Sequence, residues 1–401
     1  MKKLLRKYLR KNHALYCFIR YIKNNIQHVL LNDLRLKNYQ KIVENSLVNI
    51  NLSPIYVKQE IPLPGSLIEI TNVCNLNCVM CNPKLSNRSA GFIKPEIFEK
   101  IIQQLKTIGI NTVGLHTVGE PFVYKNLDVL FHIIEKYGFH VWLSTNGQFP
   151  ERIEPLYRQF PRLADSYRFS IDGATEDTYE YIRKGGSFQK LIDSLEIIHK
   201  INKGKRNYHV ALSIDSIISM TNVYELRQFF KTFEKYCYPE NINFSLVNGV
   251  SLDPGYFKKE FPFPNLIRHN RPCHSPFTHV YFTYGGKVTL CCRDYDEELV
   301  IGDIQNNTIS DIWNNAEAES IRESHLSPDK IGNKYCRNCY VPYSFISDIV
   351  NKYIHFLYNK YPQYTPKEFG EKITGLLKMM NSGMENRNID LLKKTVLEVF
   401  V

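Results

Sequence analysis

Residues 66–83 read SLIEITNVCNLNCVMCNP, and the interpretation of the whole chain turns on them. The first six residues are mostly apolar and β-branched, which predicts a buried strand. Cys74, Cys78 and Cys81 follow in a CxxxCxxC spacing on the loop that leaves this strand. Three thiolates this close together can wrap one iron–sulfur cluster, because such clusters take soft sulfur ligands. A cubane cluster has four irons, so three cysteines leave one iron open to a substrate or cofactor. A zinc site would need a fourth ligand, and no His or Cys follows closely. A disulfide would leave one cysteine over.

Working outward from this loop, a strand–helix alternation appears. Helices are expected over 95–108, 126–137 and 223–236, with a further helical stretch from Thr175. Strands are expected over 112–117, 139–145, 167–171, 208–218 and 242–247. Six βα units in a row predict a parallel sheet with helices outside it, either open or barrel-like. In a barrel the chemistry sits at the C-terminal ends of the strands. Cys74, Gly119-Glu120-Pro121, Asn146 and Asp172 each lie just past a predicted strand.

Composition bounds the rest. The chain has 401 residues, 43% hydrophobic and 23% charged, which suits one large catalytic domain plus appendages rather than a disordered chain. The net charge is +11, which favours anionic partners without choosing among them. Residues 1–60 read as a basic helical extension. Leu4, Leu5, Tyr8 and Leu9 share one helix face, so the extension either packs on the catalytic domain or makes weak membrane-surface contact. Arg6, Lys7, Arg10 and Lys11 break the apolar run, so no secretory signal forms and a cytoplasmic protein is expected. Ten cysteines in a reducing compartment point to metal or redox chemistry more than to disulfides. No phosphate-binding loop, HExxH or GxSxG is present, and no contiguous basic and aromatic module indicates nucleic acid.

A second cysteine group lies downstream: Cys273, Cys291, Cys292, Cys336 and Cys339. Residues 251–271, rich in Pro and Phe, read as a linker, 272–343 as a small cysteine-bearing segment and 344–401 as a helical tail. Four cysteines could also hold structural zinc, and Cys-x2-Cys is shared by zinc ribbons. Cys17 and Cys237 stand apart and read as buried small hydrophobes.

Residues 61–250 resemble the radical SAM (S-adenosylmethionine) superfamily, on CxxxCxxC, VGEP at 118–121, STNG at 144–147, SIDG at 170–173 and Tyr181-Ile182-Arg183. Val118 replaces the first Gly of that family's GGEP motif. The resemblance implies a partial (βα)6 TIM-like barrel in which Cys74, Cys78 and Cys81 bind a [4Fe–4S] cluster and SAM chelates its open iron. It implies that SAM is held by Gly119, Glu120, Pro121, Asn146, Ser170, Asp172 and Arg183. One electron then cleaves SAM to methionine and a 5′-deoxyadenosyl radical, which abstracts a substrate hydrogen. The downstream pattern, Cys273, Gly286-x4-Cys291, then Cys336-x2-Cys339, resembles the SPASM/twitch type of C-terminal extension in a shortened form. That implies a second [4Fe–4S] cluster held by Cys273, Cys291, Cys336 and Cys339.

The expected function is therefore that of a radical SAM oxidoreductase. A cluster with four protein ligands suits an electron exit, which favours oxidation of a sugar, aminocyclitol or related metabolite. Peptide modification, redox-neutral epimerisation and a non-catalytic iron–sulfur role are the alternatives. The expected partners are a small-molecule or peptide substrate and a flavodoxin- or ferredoxin-type electron donor. Asp215, Glu225 and His274 are candidate bases by residue type alone.

Overall fold

The computed structural model describes residues 66–81, 86–203, 210–247, 254–267, 273, 275–326, 334–337, 339 and 344–385. The N-terminal extension, Cys17 and His274 lie outside these residues.

Strand β1 (Ser66–Ile68) leads to helix α1 (Pro95–Thr107), and β2 (Thr112–Gly114) to α2 (Leu127–Tyr137). Strand β3 (His140–Thr145) leads to α3 (Pro150–Gln159), and β4 (Ser166–Ser170) to α4 (Glu176–Ile182) and α5 (Phe188–Lys203). Strand β5 (Ala211–Ile218) leads to α6 (Leu226–Phe233), and β6 (Ile242–Leu246) to α7 (Pro254–Glu260). The six strands pair in parallel and in chain order. Each crossover thus advances the sheet by one strand in the same direction, and this builds a partial barrel rather than a doubly wound sheet.

The strands alternate strictly. Val141, Leu143 and Thr145 on β3, Tyr167 and Phe169 on β4, and Leu212, Ile214 and Ser216 on β5 are buried under the helices. The residues between them point to the inner face, where exposure is greater.

Several sequence expectations shift in detail. Helix α3 was not expected. Ile153, Leu156, Tyr157 and Phe160 are buried at helical spacing, but Pro155 inside the helix and a low mean hydropathy hide the pattern. The helical stretch after Thr175 breaks in two around Gly185, which has φ 88°. Residues 223–236 begin as a 3-10 turn, Val223–Glu225, before α6. The stretch read as a linker is well packed: Phe257, Phe261, Phe263 and Leu266 are buried, and Glu260 accepts from the N–H and hydroxyl of Thr221 at 2.9 and 2.8 Å.

The cysteine-bearing segment gains its core by continuing the barrel sheet. Helix α8 (Ser275–Thr278) precedes β7 (Val280–Phe282), which pairs in parallel with β1 on the side away from β2. Strands β8 (Lys287–Thr289) and β9 (Val300–Asp303) extend the sheet antiparallel, and the short helices α9 (Ile309–Trp313), α10 (Ala316–Leu326) and α11 (Lys334–Arg337) follow. Trp313 and Arg322 are fully buried, with the guanidinium 4.3 Å from the indole centroid.

Residues 386–401 lie outside the described residues, and the described part of the tail forms α12 (Ser344–Lys360) and α13 (Pro366–Glu385). It is also structural. Asn351 on α12 accepts from the Phe244 N–H at 2.8 Å, and His355 bonds the Ile242 carbonyl at 2.8 Å. These contacts cover the free edge of β6. Arg227 on α6 donates to the carbonyls of Tyr361 and Pro362 between the two tail helices. Phe230 on α6 stacks on Tyr358 at 4.1 Å and meets Phe244 and His355 edge-on. Truncating it, Phe230→Ala, should cost about 3–5 kcal/mol of stability, read as a lower denaturant midpoint.

Candidate active site

The loop carrying Cys74, Cys78 and Cys81 has little regular structure and is held from outside. The Glu120 N–H donates to the Val73 carbonyl at 2.9 Å. Asn77 and Val79 donate their N–H groups to the carbonyls of Lys184 and Ile182, at 2.8 and 2.9 Å. The break between α4 and α5 is what frees those two carbonyls to receive the loop. Gly119 is required by close approach, since a Cβ there would come within 2.3 Å of the Thr71 carbonyl oxygen.

Glu120 is buried, and its carboxylate accepts three hydrogen bonds. Phe122 N–H and the Thr145 hydroxyl donate to Oε1 at 3.1 and 2.8 Å, and Asn146 N–H donates to Oε2 at 2.7 Å. It ties the exit of β2 to the exit of β3. Burial pushes its carboxyl up to about 7 against the pull of these donors. Asn146 in turn donates through Nδ2 to Asn75 at 2.8 Å, with Cys74 Sγ 3.8 Å away.

Asp172 and Arg183 form a buried pair, Nε to Oδ2 at 2.5 Å, with Ile217 N–H on the other carboxylate oxygen at 2.6 Å. Arg183 Nη1 lies 3.9 Å from Cys78 Sγ. Ser170 ends β4 on the inner face, in register with Asp215 on β5. The structure thus brings Cys74, Cys78, Cys81, Gly119, Glu120, Asn146, Asp172 and Arg183 together at one end of the barrel, with Pro121 directly after Glu120.

The donor set fits an iron–sulfur cluster. Burial pushes the Cys74 thiol up to about 11 and the Cys81 thiol up to about 12, and their neighbours add to the rise. Three such thiols become thiolates only beside strong positive charge, and Arg183 is a single cation. Iron supplies that charge.

In the second group, Cys291 shares its surroundings with Cys273, Cys292 and Cys339. Cys292 faces Cys273, the Arg293 guanidinium and the Tyr281 hydroxyl. Cys339 N–H donates to the Cys336 carbonyl at 3.3 Å. Among the described residues, no three Cys, His, Asp or Glu side chains converge on a single-ion site.

The sequence did not reveal how the two groups are joined. Tyr295 lies between them, close enough to feel the charges of Cys81, Cys291 and Cys292. Its carbonyl accepts from Ser86 Oγ and Arg88 Nε, both at 2.7 Å. Arg88 also makes a bidentate pair with Glu69 past β1, both bonds 2.8 Å, and reaches Glu297 at 3.2 Å. Only the fold could disclose this, because the partners are about two hundred residues apart.

Of the candidate bases, Glu225 is spent on the start of α4, accepting from Ala174 N–H at 3.0 Å and from the Thr178 hydroxyl at 2.5 Å. Asp215 faces inward, paired with Arg168 at 3.1 Å, and burial raises its carboxyl. The inner face also holds Trp142 and His116, ring centroids 4.7 Å apart.

Two family models match the chain. Radical SAM superfamily covers residues 68–215, and the SPASM iron–sulfur cluster-binding domain covers 273–340. The S-adenosyl-L-methionine-dependent 2-deoxy-scyllo-inosamine dehydrogenase of Niallia circulans is 23% identical over 275 residues, 68% of this chain and 90% of that one. The probable GTP 3′,8-cyclase of Thermoplasma volcanium is 23% identical over 248 residues, 57% of this chain and 71% of that one. A solved structure described as anSMEcpe with bound AdoMet has TM-score 0.54 at 15% identity, covering 75% of this chain and 98% of that one, a likeness of fold.

Burial and the nearby Arg168 charge push His116 from 6.5 down to about 4, so the folded protein holds it neutral. Its contribution is complete above about pH 6.5 and is lost as pH falls towards 4, because the unfolded chain takes up the proton first. Urea midpoints between pH 7 and 5 should therefore fall more steeply for the parent than for His116→Gln.

Proposed function

We propose that this chain, a radical SAM enzyme whose cofactors are SAM and iron–sulfur clusters, oxidises a carbinol carbon of a sugar, aminocyclitol or related small molecule to a ketone. The observation that carries this reading is that the segment after the three-cysteine loop is tied to the loop after Cys291, with Ser86 and Arg88 both donating to the Tyr295 carbonyl at 2.7 Å. When bound and reduced, SAM on the first cluster supplies a hydrogen-abstracting radical. Cys74, Cys78 and Cys81 would hold that cluster and leave one iron for SAM. Gly119, Glu120, Pro121, Asn146, Ser170, Asp172 and Arg183 would hold SAM.

The chain's own residues do the positioning. Glu120 fixes the spacing of the β2 and β3 exits, so the backbone around Asn146 is in place before any ligand arrives. Arg183, pinned by Asp172, keeps one positive charge beside Cys78, suited to a carboxylate. Cys273, Cys291, Cys336 and Cys339 would satisfy a second cluster completely, which suits electron transfer. The balance is that the carbon gives up one hydrogen atom, its hydroxyl one proton, and the remaining electron leaves through the second site.

The dehydrogenase relative supports oxidation over peptide modification or epimerisation, since it aligns over nine-tenths of its length. A flavodoxin- or ferredoxin-type protein would supply the first electron. Oxygen-sensitive clusters and free thiols suit the cytoplasm. Among the described residues no helix is long and apolar enough to cross a membrane.

Anaerobic reconstitution should give about eight irons per chain, and four irons with one zinc would refute the second cluster. Under strong reductant the protein should convert SAM to 5′-deoxyadenosine. Cys78→Ala should abolish that release, whereas Cys336→Ala should retain it while losing ketone formation.

A further inference from the structure

The inner face of the barrel has a composition of its own. Ser144, Ser213 and Ser245 alternate with the buried outer-face residues of β3, β5 and β6, and all three are half-buried. Among them runs a connected polar array. Arg168 on β4 reaches Asp215 Oδ2 on β5 at 3.1 Å. Asn243 on β6 donates through Nδ2 to Asp215 Oδ1 at 3.0 Å. On the other side the Arg168 guanidinium lies 4.6 Å from the Trp142 ring centroid. Gly114 on β2 leaves the room that indole occupies, since a Cβ there would come within 2.4 Å of it.

We propose that this face, over β3 to β6, is the binding floor for an unphosphorylated polyhydroxylated ring, neutral or carrying one amino group, with Arg168, Asp215 and Asn243 as its specificity-determining residues. The inference deepens the oxidation reading and rests on it.

Three observations carry it. First, the array is preorganised but not used up. The Arg168 and Asp215 side chains keep 44% and 33% of their exposure. A guanidinium has five donors and a carboxylate about four acceptor positions, so each retains free capacity. A partly exposed pair contributes little to stability, and its free donors and acceptors remain open to a ligand.

Second, the mixture of donors and acceptors matches hydroxyl groups, which both donate and accept. Arg168 offers donors, Asp215 acceptors, and Asn243 and the serines both.

Third, the charge is balanced. The guanidinium on this face is matched by a carboxylate, Arg168 by Asp215, and Arg183 just past the strand ends is matched by Asp172. A phosphate taking the free Arg168 donors would lie against the Asp215 carboxylate, 3.1 Å from that guanidinium, and be opposed by its like charge. The net charge of +11 is therefore not expressed here. The floor runs towards the cysteine loop, since Ser170 at the end of β4 is in register with Asp215, and Asp172 two residues on pairs with Arg183 beside Cys78.

The test is equilibrium dialysis of the anaerobically reconstituted full chain with saturating SAM, against myo-inositol, 2-deoxy-scyllo-inosamine and myo-inositol 1-phosphate. At least one unphosphorylated ring should bind, and the phosphate at least tenfold more weakly than it. Asp215→Asn should weaken that ring at least tenfold, Arg168→Gln similarly, and Arg168→Lys less than Arg168→Gln. Asn243→Ala, at an exposed position, provides a second variant expected to lose about threefold or more. SAM affinity within twofold of the parent serves as the folding control for each. Phosphate binding as tight as the free rings, binding of none of the three, or unchanged affinity in both Asp215→Asn and Asn243→Ala would overturn the proposal. Failure of the parent to release 5′-deoxyadenosine would instead remove the oxidation reading, and the dialysis pattern separates the two.

Discussion

The loop bearing Cys74, Cys78 and Cys81 must keep three thiols together, and its own hydrogen bonds, such as Cys81 N–H to the Cys78 carbonyl at 3.1 Å, are few. Its backbone is borrowed from neighbours: Glu120 N–H holds Val73, and the carbonyls of Ile182 and Lys184 hold Val79 and Asn77. Three separate strand exits therefore have to arrive at fixed distances. Glu120 sets one of these by joining the β2 and β3 exits through a carboxylate with three donors. The break between α4 and α5 sets another, because an unbroken helix would have consumed the two carbonyls. The barrel is in this sense a frame for one loop.

The same frame explains the contrast between the two faces of the sheet. Strand alternation sends Leu143, Phe169, Ile214 and Phe244 to the helix side, where burial stabilises the fold. It sends Trp142, Arg168, Asp215 and Asn243 to the inner side, where they are half-buried or exposed. Polar residues there cost the fold little and remain available to a ligand. The inner face and the cysteine loop are then two parts of one site, connected through Asp172 and Arg183.

The C-terminal third is integrated into the same body. Strand β7 pairs with β1, and the Arg88–Glu69–Glu297 network locks the loop after Cys291 to the segment after the first cysteine loop. A bidentate Arg–carboxylate pair is geometrically specific, so this contact fixes orientation as well as proximity. Tyr295 is held between the two thiol groups as a result. The tail closes the opposite edge, with Asn351 and His355 meeting backbone groups of β6 that would otherwise be unpaired.

The local chemistry was legible in the sequence because it is written in short spacings. CxxxCxxC, the Gly119-Glu120-Pro121 and Ser170–Gly173 turns and Cys336-x2-Cys339 each lie within a few residues, and the six βα units repeat along the chain in order. From these the parallel sheet, the missing fourth ligand and the second cysteine group follow, while the partial barrel came from the family resemblance they carry. Helix α3 escaped because Pro155 and its charged residues masked an apolar stripe that was present. What only the tertiary structure decided are contacts made across strands: Arg168 with Asp215 and Trp142, Arg88 with Glu69, Tyr295 between two cysteine groups. It also assigned Glu225 to helix capping and Asp215 to the inner face, two carboxylates alike as residue types. The physical reason is that a side chain's partner depends on strand register and barrel curvature, which bring together residues tens to hundreds of positions apart.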